Sequence, residues 1–254
     1  MLDAGRYHLN ALAVDPVRKE TLAACNFEMD ENSYGSIADN TVQHRIFQSH
    51  YQKVAVAYNV PESVITPSIY SDAGEHSIDL VYGDLQRSDV ISEPVHSIAA
   101  QNIYRVDENI RESLTLHFPV HQYYHIYSVL LKRTFTGIDQ PSVIKLVIYA
   151  RNMILLAFKN GKLQLAQSFP LDNAEDVSYY LVKVCNDLAV LPSETNIIVA
   201  GWVNTQSAVY LEIMKYFLKV EFESPDNVLS FDQAFADSPL HFFSPLISLA
   251  ACVS

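Results

Sequence analysis

His117, His121 and His125 recur at every fourth position. On one continuous helix they would form a stripe of imidazoles able to hold a transition metal. Pro119 interrupts such a helix. In an extended segment His121 and His125 share a face but stand roughly 13 Å apart, too far to bind one ion directly. Structural histidines are therefore expected, and no metal site is assigned. Glu221, Glu223 and Asp226 are placed at and past the last expected strand, and a solvated edge is expected there rather than an acid-base pair. A serine or cysteine nucleophile needs a base and an orienting partner. The chain contains no G-x-S-x-G, P-loop or HExxH motif that would supply them. Tyr123, Tyr124 and Tyr127 have the spacing of a strand and are read as packing rather than as a stacking platform for bases.

Composition limits the remaining classes. With 17 Lys+Arg against 29 Asp+Glu the formal charge is −12, and without a local basic patch nucleic acid and anionic membranes are poor partners. Seven glycines argue against a chain built on glycine-rich phosphate loops, while fifteen Tyr and twelve Phe favour strands. Cys25, Cys185 and Cys252 are widely spaced and odd in number, as expected of reduced thiols in a cytoplasmic protein. The first residues lack a basic region followed by an apolar core, and the apolar tail His241–Val253 is short and split by Pro245. No membrane insertion is expected, and the tail reads as a docking segment.

Positioning any site falls to two similar halves. In the second, Val143–Tyr149, Met153–Phe158 and Leu163–Phe169 read as three strands, the last two joined by Asn160-Gly161, a type I′ hairpin signal. Asp172–Val190 opens on capping residues and places Val177, Leu181, Val184 and Leu188 on one helical face. Thr195–Val203 reads as a buried strand, Gln206–Leu218 as a helix and Lys219–Phe222 as a last strand. This β-β-β-α-β-α-β order is that of the ribonuclease-H-like fold, and it calls for a search for its duplicate.

The first half supplies a similar pattern. Tyr7–Val14 and Thr21–Phe27 form an expected hairpin, and Phe27-Glu-Met-Asp30 echoes Phe169-Pro-Leu-Asp172. A helix is expected over about residues 38–51. Asn102–Val106, helical Glu108–Phe118, strand-like His121–Tyr127 and helical Ser128–Phe135 then repeat the later order. Val54-Ala-Val-Ala-Tyr-Asn-Val60 resembles Ile197-Ile-Val-Ala-Gly-Trp-Val203 more closely in residues. The strand at Asn102 is nevertheless taken as the equivalent, because a helix and a strand follow it. Val54–Tyr58 is then assigned to an extra hairpin with Ser63–Thr66, Ser71–Val95 to an irregular insertion, and Gly137 and Pro141 to the boundary. The domains expected are 1–137 and 142–254.

On these runs the chain resembles the actin-like ATPases, particularly the actin-like proteins of type IV pilus and type II secretion machines. Through Val64–Tyr70 and Phe118–Leu131 it is similar to an uncharacterised bacterial family with that fold. The resemblance implies an α/β architecture, a duplicated ribonuclease-H-like fold with mixed sheets and helices on both sides. In that family the first turn of each half carries Asp-x-Gly, whose backbone closes on phosphates while the Asp acts through a divalent cation. The second-half counterpart, Ala150-Arg-Asn152, has neither Asp nor Gly. Asp3-Ala-Gly5 matches in the first half, but only Met1 and Leu2 precede it, so a hairpin turn is expected there. A family glycine pair that admits adenosine corresponds to Gly201 and Trp202, the indole replacing the second glycine.

The resulting expectation is a catalytically inactive actin-fold scaffold acting through a protein partner or self-association, with no cofactor. The alternative is a nucleotide-binding actin-like ATPase that uses ATP and Mg, with Asp3, Gly5, Arg151, Gly201 and Trp202 around the nucleotide.

Overall fold

The computed structural model describes residues 1–29, 44–83, 88–134, 141–224, 229–231 and 238–253. The chain divides into two compact units. One comprises Met1–Arg133, Asn227–Ala236 and Leu246–Ser254, the other Thr134–Asp226 and Asp237–Pro245.

The first unit is built on strands β1 (Leu2–Gly5), β2 (His8–Asp15), β3 (Glu20–Glu28), β4 (Ala55–Asn59), β8 (Gln122–His125) and β14 (Ser230–Phe231), in the order β14-β3-β2-β1-β4-β8. The first three are antiparallel, whereas β4 runs parallel to β1 and β8 parallel to β4. Alternation along the strands sends Leu2, Ala4, Leu9, Ala11, Val56 and Tyr58 into one core beneath helix α3 (Glu108–His117), which adds Ile110 and Leu114. Asp107 caps that helix through the N–H of Asn109. A short helix, α1 (Arg45–Gln48), lies within the expected 38–51 helix, whose residues up to 43 fall outside the described residues, as does Asp30.

A separate antiparallel sheet in this unit joins β5 (Ser63–Pro67), β7 (Ala100–Asp107) and β6 (Ser88–Val95), in that order. This corrects the strand assignment. The equivalent of the Ile197–Val203 strand is β4, which registers Gly5 against Asn59, while Asn102 belongs to the inserted sheet and β5 pairs with β7. The apolar residues of Val54–Val60 point to both faces because a central parallel strand is covered on both. Helix order misled because the insertion stands between β4 and α3. Within Ser71–Val95, expected as an irregular insertion, the described residues include helix α2 (Gly74–Tyr82) and β6.

The second unit follows the sequence reading. Strands β9 (Ser142–Ile148), β10 (Asn152–Lys159), β11 (Lys162–Pro170), β12 (Asn196–Gly201) and β13 (Lys219–Phe222) form one sheet in the order β11-β10-β9-β12-β13. Asn160 and Gly161 both take positive φ, 51° and 70°, as the tight hairpin requires. Helix α5 (Ala174–Asp187) starts with a capping box between Asn173 and Asp176 and buries Val177, Leu181 and Val184. Helix α6 (Ala208–Ile213) is shorter than expected.

Helix α4 (Ile126–Thr134) follows β8. The last helix, α7 (Ser244–Val253), gives its residues from Leu246 onward to the first unit. There the Nζ atoms of Lys53 and Lys132 reach the carbonyls of Val253 and Cys252 at 2.5 and 3.4 Å. Among the described residues no helix is long and apolar enough to cross a membrane.

Candidate functional site

Two corresponding places merit comparison, the β1–β2 turn beside the end of β4 and the β9–β10 turn beside the end of β12. In the first unit Asp3, Ala4 and Gly5 lie inside β1 rather than in a hairpin turn, which falls at Arg6-Tyr7. Four residues suffice for the strand because β2 and β4 pair with it on either side. Asp3 is buried, and its Oδ1 stands 3.1 Å from Nε2 of His8 and 3.2 Å from Nδ2 of Asn59. Gly5 has a packing reason: a Cβ there would stand 2.2 Å from Cε1 of the His8 ring. Asn10, opposite Asp3, and Asn59 have buried side-chain oxygens without a hydrogen-bond partner among the described residues.

In the second unit Ala150 and Arg151 form the turn, closed by the Tyr149 N–H donating to Asn152 O at 2.9 Å. Arg151 is exposed. Gly201 has φ +83°, and a Cβ on it would lie 2.1 Å from the carbonyl oxygen of Ile148. The pairing of β12 with β9 thus demands glycine whether or not a ligand approaches. The Trp202 ring turns outward and packs against Phe242, with centroids 5.4 Å apart.

The chain's own Leu240–Ser244 segment occupies the ground beside Trp202. Nε2–H of His241 donates to the Val203 carbonyl at 2.7 Å, and its ring stacks on Phe222 at 4.2 Å. Burial pulls the His241 pKa down, which favours the neutral ring. Beneath it, fully buried Lys145 pairs with Glu223 at 2.5 Å, and the Ser244 hydroxyl donates to the other Glu223 oxygen. The carboxylates in and after β13 are therefore not a uniform solvated edge. Glu223 neutralises a buried ammonium, Glu221 accepts from Asn196 Nδ2 at 2.7 Å, and Asp226 lies outside the described residues. A lysine in the middle of Ser142-Val-Ile-Lys-Leu-Val-Ile148 was the available signal, since a buried cation needs a partner.

The three spaced histidines lie in different local settings. His117 Nδ1 lies 2.9 Å from Ser113 O and His121 Nδ1 2.7 Å from Phe118 O. His125 is wholly buried, with Nε2–H donating to Val60 O at 3.0 Å and Nδ1 accepting the Tyr127 N–H at 3.1 Å. Burial drives its pKa down to about 3. Among the described residues no three His, Cys, Asp or Glu side chains gather into a metal site.

Two meander-led sheets with parallel strands added beside the first strand define a duplicated, mixed α/β protein with the actin-like ATPase fold. The chain belongs to the family described as "Protein of unknown function (DUF3822)", whose model matches residues 1–220. It is similar to a Bacteroides thetaiotaomicron protein with actin-like ATPase fold and unknown function, at TM-score 0.74 and 15% identity over 89% of this chain and 90% of that one. A chain from the PilM-PilN type IV pilus biogenesis complex matches at TM-score 0.64 and 10% identity, covering 99% and 97%. The ethanolamine utilization protein EutJ from Carboxydothermus hydrogenoformans matches at 0.54 and 8%, covering 98% and 87%. At these identities the likeness concerns fold alone. No curated protein matches the sequence.

Proposed function

We propose that this protein is a cytoplasmic actin-fold scaffold that works by binding another protein and does not hydrolyse ATP. The observation that carries this reading is the pair of turns at Arg6-Tyr7 and Ala150-Arg151. The Ala150-Arg151 turn has neither a carboxylate nor a glycine, and the Arg6-Tyr7 turn has them only in the preceding strand, as Asp3 and Gly5, which argues against a pair of loops closing on a phosphate and its divalent cation. Asp3 is tied to His8 and Asn59 within the sheet, and Gly201 is accounted for by Ile148. The PilM-PilN complex among the structural neighbours supports a protein partner, and three free cysteines are compatible with a reducing compartment.

The insertion is the favoured contact face. Helix α2 is fixed to its sheet by buried Ile78, by an Asp79–Arg105 ion pair, and by the Tyr82 hydroxyl at 3.1 Å from Pro61 O. Leu80 and Val81 nevertheless remain 87% and 62% exposed, as do Ile69 and Tyr70 just before the helix. In sequence, residues 72–89 carry Asp72, Glu75, Asp79, Asp84 and Asp89 against Arg87, with Asp79 paired to Arg105 and Asp89 to Arg111. A segment with apolar side chains complements the exposed Ile69, Tyr70, Leu80 and Val81, and basic residues in it suit the acidic sequence around them.

A photo-crosslinking residue at Leu80, with one at exposed Val17 as the control, tests the reading in cells. The expected result is an adduct specific to Leu80 and mapped to a basic, apolar peptide of one partner. The same adducts from both positions, or an adduct with this chain alone, would reject the assignment of that face to a different protein.

A further inference from the structure

β13 ends its sheet, paired on one side to β12 and on the other to no strand among the described residues. Its register fixes which backbone groups stay open. The Glu223 N–H donates to Val199 O at 2.8 Å, and along a parallel strand alternate residues bond the same neighbour. Lys219, Glu221 and Glu223 therefore face β12, and the N–H and C=O groups of Val220 and Phe222 point to the open side.

The side chains divide between the two faces of the sheet. Val220 and Phe222 pack against the core, where Phe222 stacks on Tyr210 of α6 at 5.1 Å. Lys219 and Glu221 are exposed on the opposite face, in register with Asn196 and Ile198 of β12. Lys219 makes no ion pair among the described residues. Glu221 holds Asn196 Nδ2 through Oε1, which leaves its second oxygen for an arriving ammonium. A lysine on an edge ordinarily repels an incoming strand. A glutamate two positions further on makes this edge complementary to itself.

We propose that β13 pairs antiparallel with β13 of a second copy about a two-fold axis at Val220, joining the two second-unit sheets into one. In that register each Val220 donates its N–H to the other's carbonyl, the closely bonded kind of antiparallel pair. Lys219 of each copy stands opposite Glu221 of the other, on the same face. Phe222 likewise stands opposite Leu218, whose side chain is 77% exposed in the single chain. Moving the axis to Glu221 would oppose two carboxylates and offer Lys219 only Glu223, which Lys145 already holds. Leu211, Met214 and Tyr216, on and just after α6, are exposed and add apolar area to the contact. With a strand of only four residues, the interface belongs to the small, reversible class.

Sedimentation equilibrium of the full chain over a concentration series tests this, at about 0.15 M salt so that repulsion between two chains of net charge −12 is screened. Wild type is expected to dimerise. Lys219→Glu and Glu221→Lys each set like charges opposite one another across the axis and should weaken the dimer about tenfold or more. An equimolar mixture of these two variants should recover it, because each copy then meets the opposite charges of the other. Val220→Pro removes the N–H at the axis, at a position where an edge strand accepts proline. It should abolish the dimer and leave the circular dichroism spectrum unchanged. A wild type that stays monomeric up to about 1 mM, a dimer unaffected by Lys219→Glu and Val220→Pro, or a mixture that stays monomeric would overturn the proposal. If Glu221→Lys fails to fold for want of the Asn196 contact, Lys219→Glu and Val220→Pro decide by themselves.

Discussion

The backbone N–H of Trp202 donates to the carbonyl oxygen of Ile148 at 2.8 Å, closing the end of β12 onto the end of β9. Gly201, just before it, sits where a side chain would strike that same oxygen. The residue that invites a nucleotide reading is thus fixed by strand closure. Gly201→Ala should destabilise the chain by about 1–3 kcal/mol through its left-handed backbone and the collision with Ile148. Urea unfolding with and without Mg-ATP measures this, and the loss should be the same in both.

Lys145 and Glu223 make a second prediction. Lys145→Ala removes the cation that neutralises the largely buried Glu223 carboxylate and should cost about 3–5 kcal/mol. The double replacement Lys145→Met with Glu223→Gln should recover most of that loss, since it removes both charges and keeps an acceptor for Ser244. Equal losses in the single and double variants by chemical denaturation would show that the ion pair is not the cause.

Asp3 separates a structural from a ligand-binding role. Asp3→Ala removes the acceptor shared by His8 and Asn59 and should cost about 1–3 kcal/mol of unfolding free energy. Unchanged stability would instead mean that the carboxylate was kept for something outside the sheet.

Stability against pH carries opposing slopes. His125, held neutral with its pKa lowered to about 3, contributes stability that is present above 6.5 and is lost as pH falls toward 3. Glu93, its carboxyl raised by burial to about 7, contributes stability that is present below 4.5 and is lost as pH rises through 7. Between pH 4.5 and 6.5 the two nearly cancel. Glu93→Gln should unmask the histidine slope, so that stability in this window falls by about 1.4 kcal/mol per unit of acidification. Denaturation curves collected across the window should slope more steeply for the variant than for wild type, in which His241, its pKa also lowered by burial, adds to the His125 slope.

The second unit was legible because its signals are local. Asn160-Gly161 fixes a hairpin, Asn173 and Asp176 cap a helix, and Val143–Ile148 is apolar on both faces apart from Lys145. The first unit hid its order behind an insertion. In Val54–Val60 the residues themselves marked a central strand, and the pattern of following helices pointed to the wrong one. Gly201 ends β12 and Arg151 lies in the β9–β10 turn, as their sequence settings imply, but the contacts around them were not readable. His241 meets Val203 across 38 positions and Lys145 meets Glu223 across 78. No spacing rule links such partners. The ring of Trp202 could be assigned to a pocket or to the surface, and only packing against Phe242 decides between them.

The most direct test of a scaffold without nucleotide chemistry is a titration of the purified protein with Mg-ATP, following Trp202 fluorescence and thermal stability together. Trp202 is the single tryptophan of the chain and is 37% exposed beside Gly201, so an arriving base would change its emission. No saturable change in either signal up to millimolar nucleotide is the predicted result. Saturable quenching accompanied by a rise in melting temperature would contradict it and restore an active nucleotide switch.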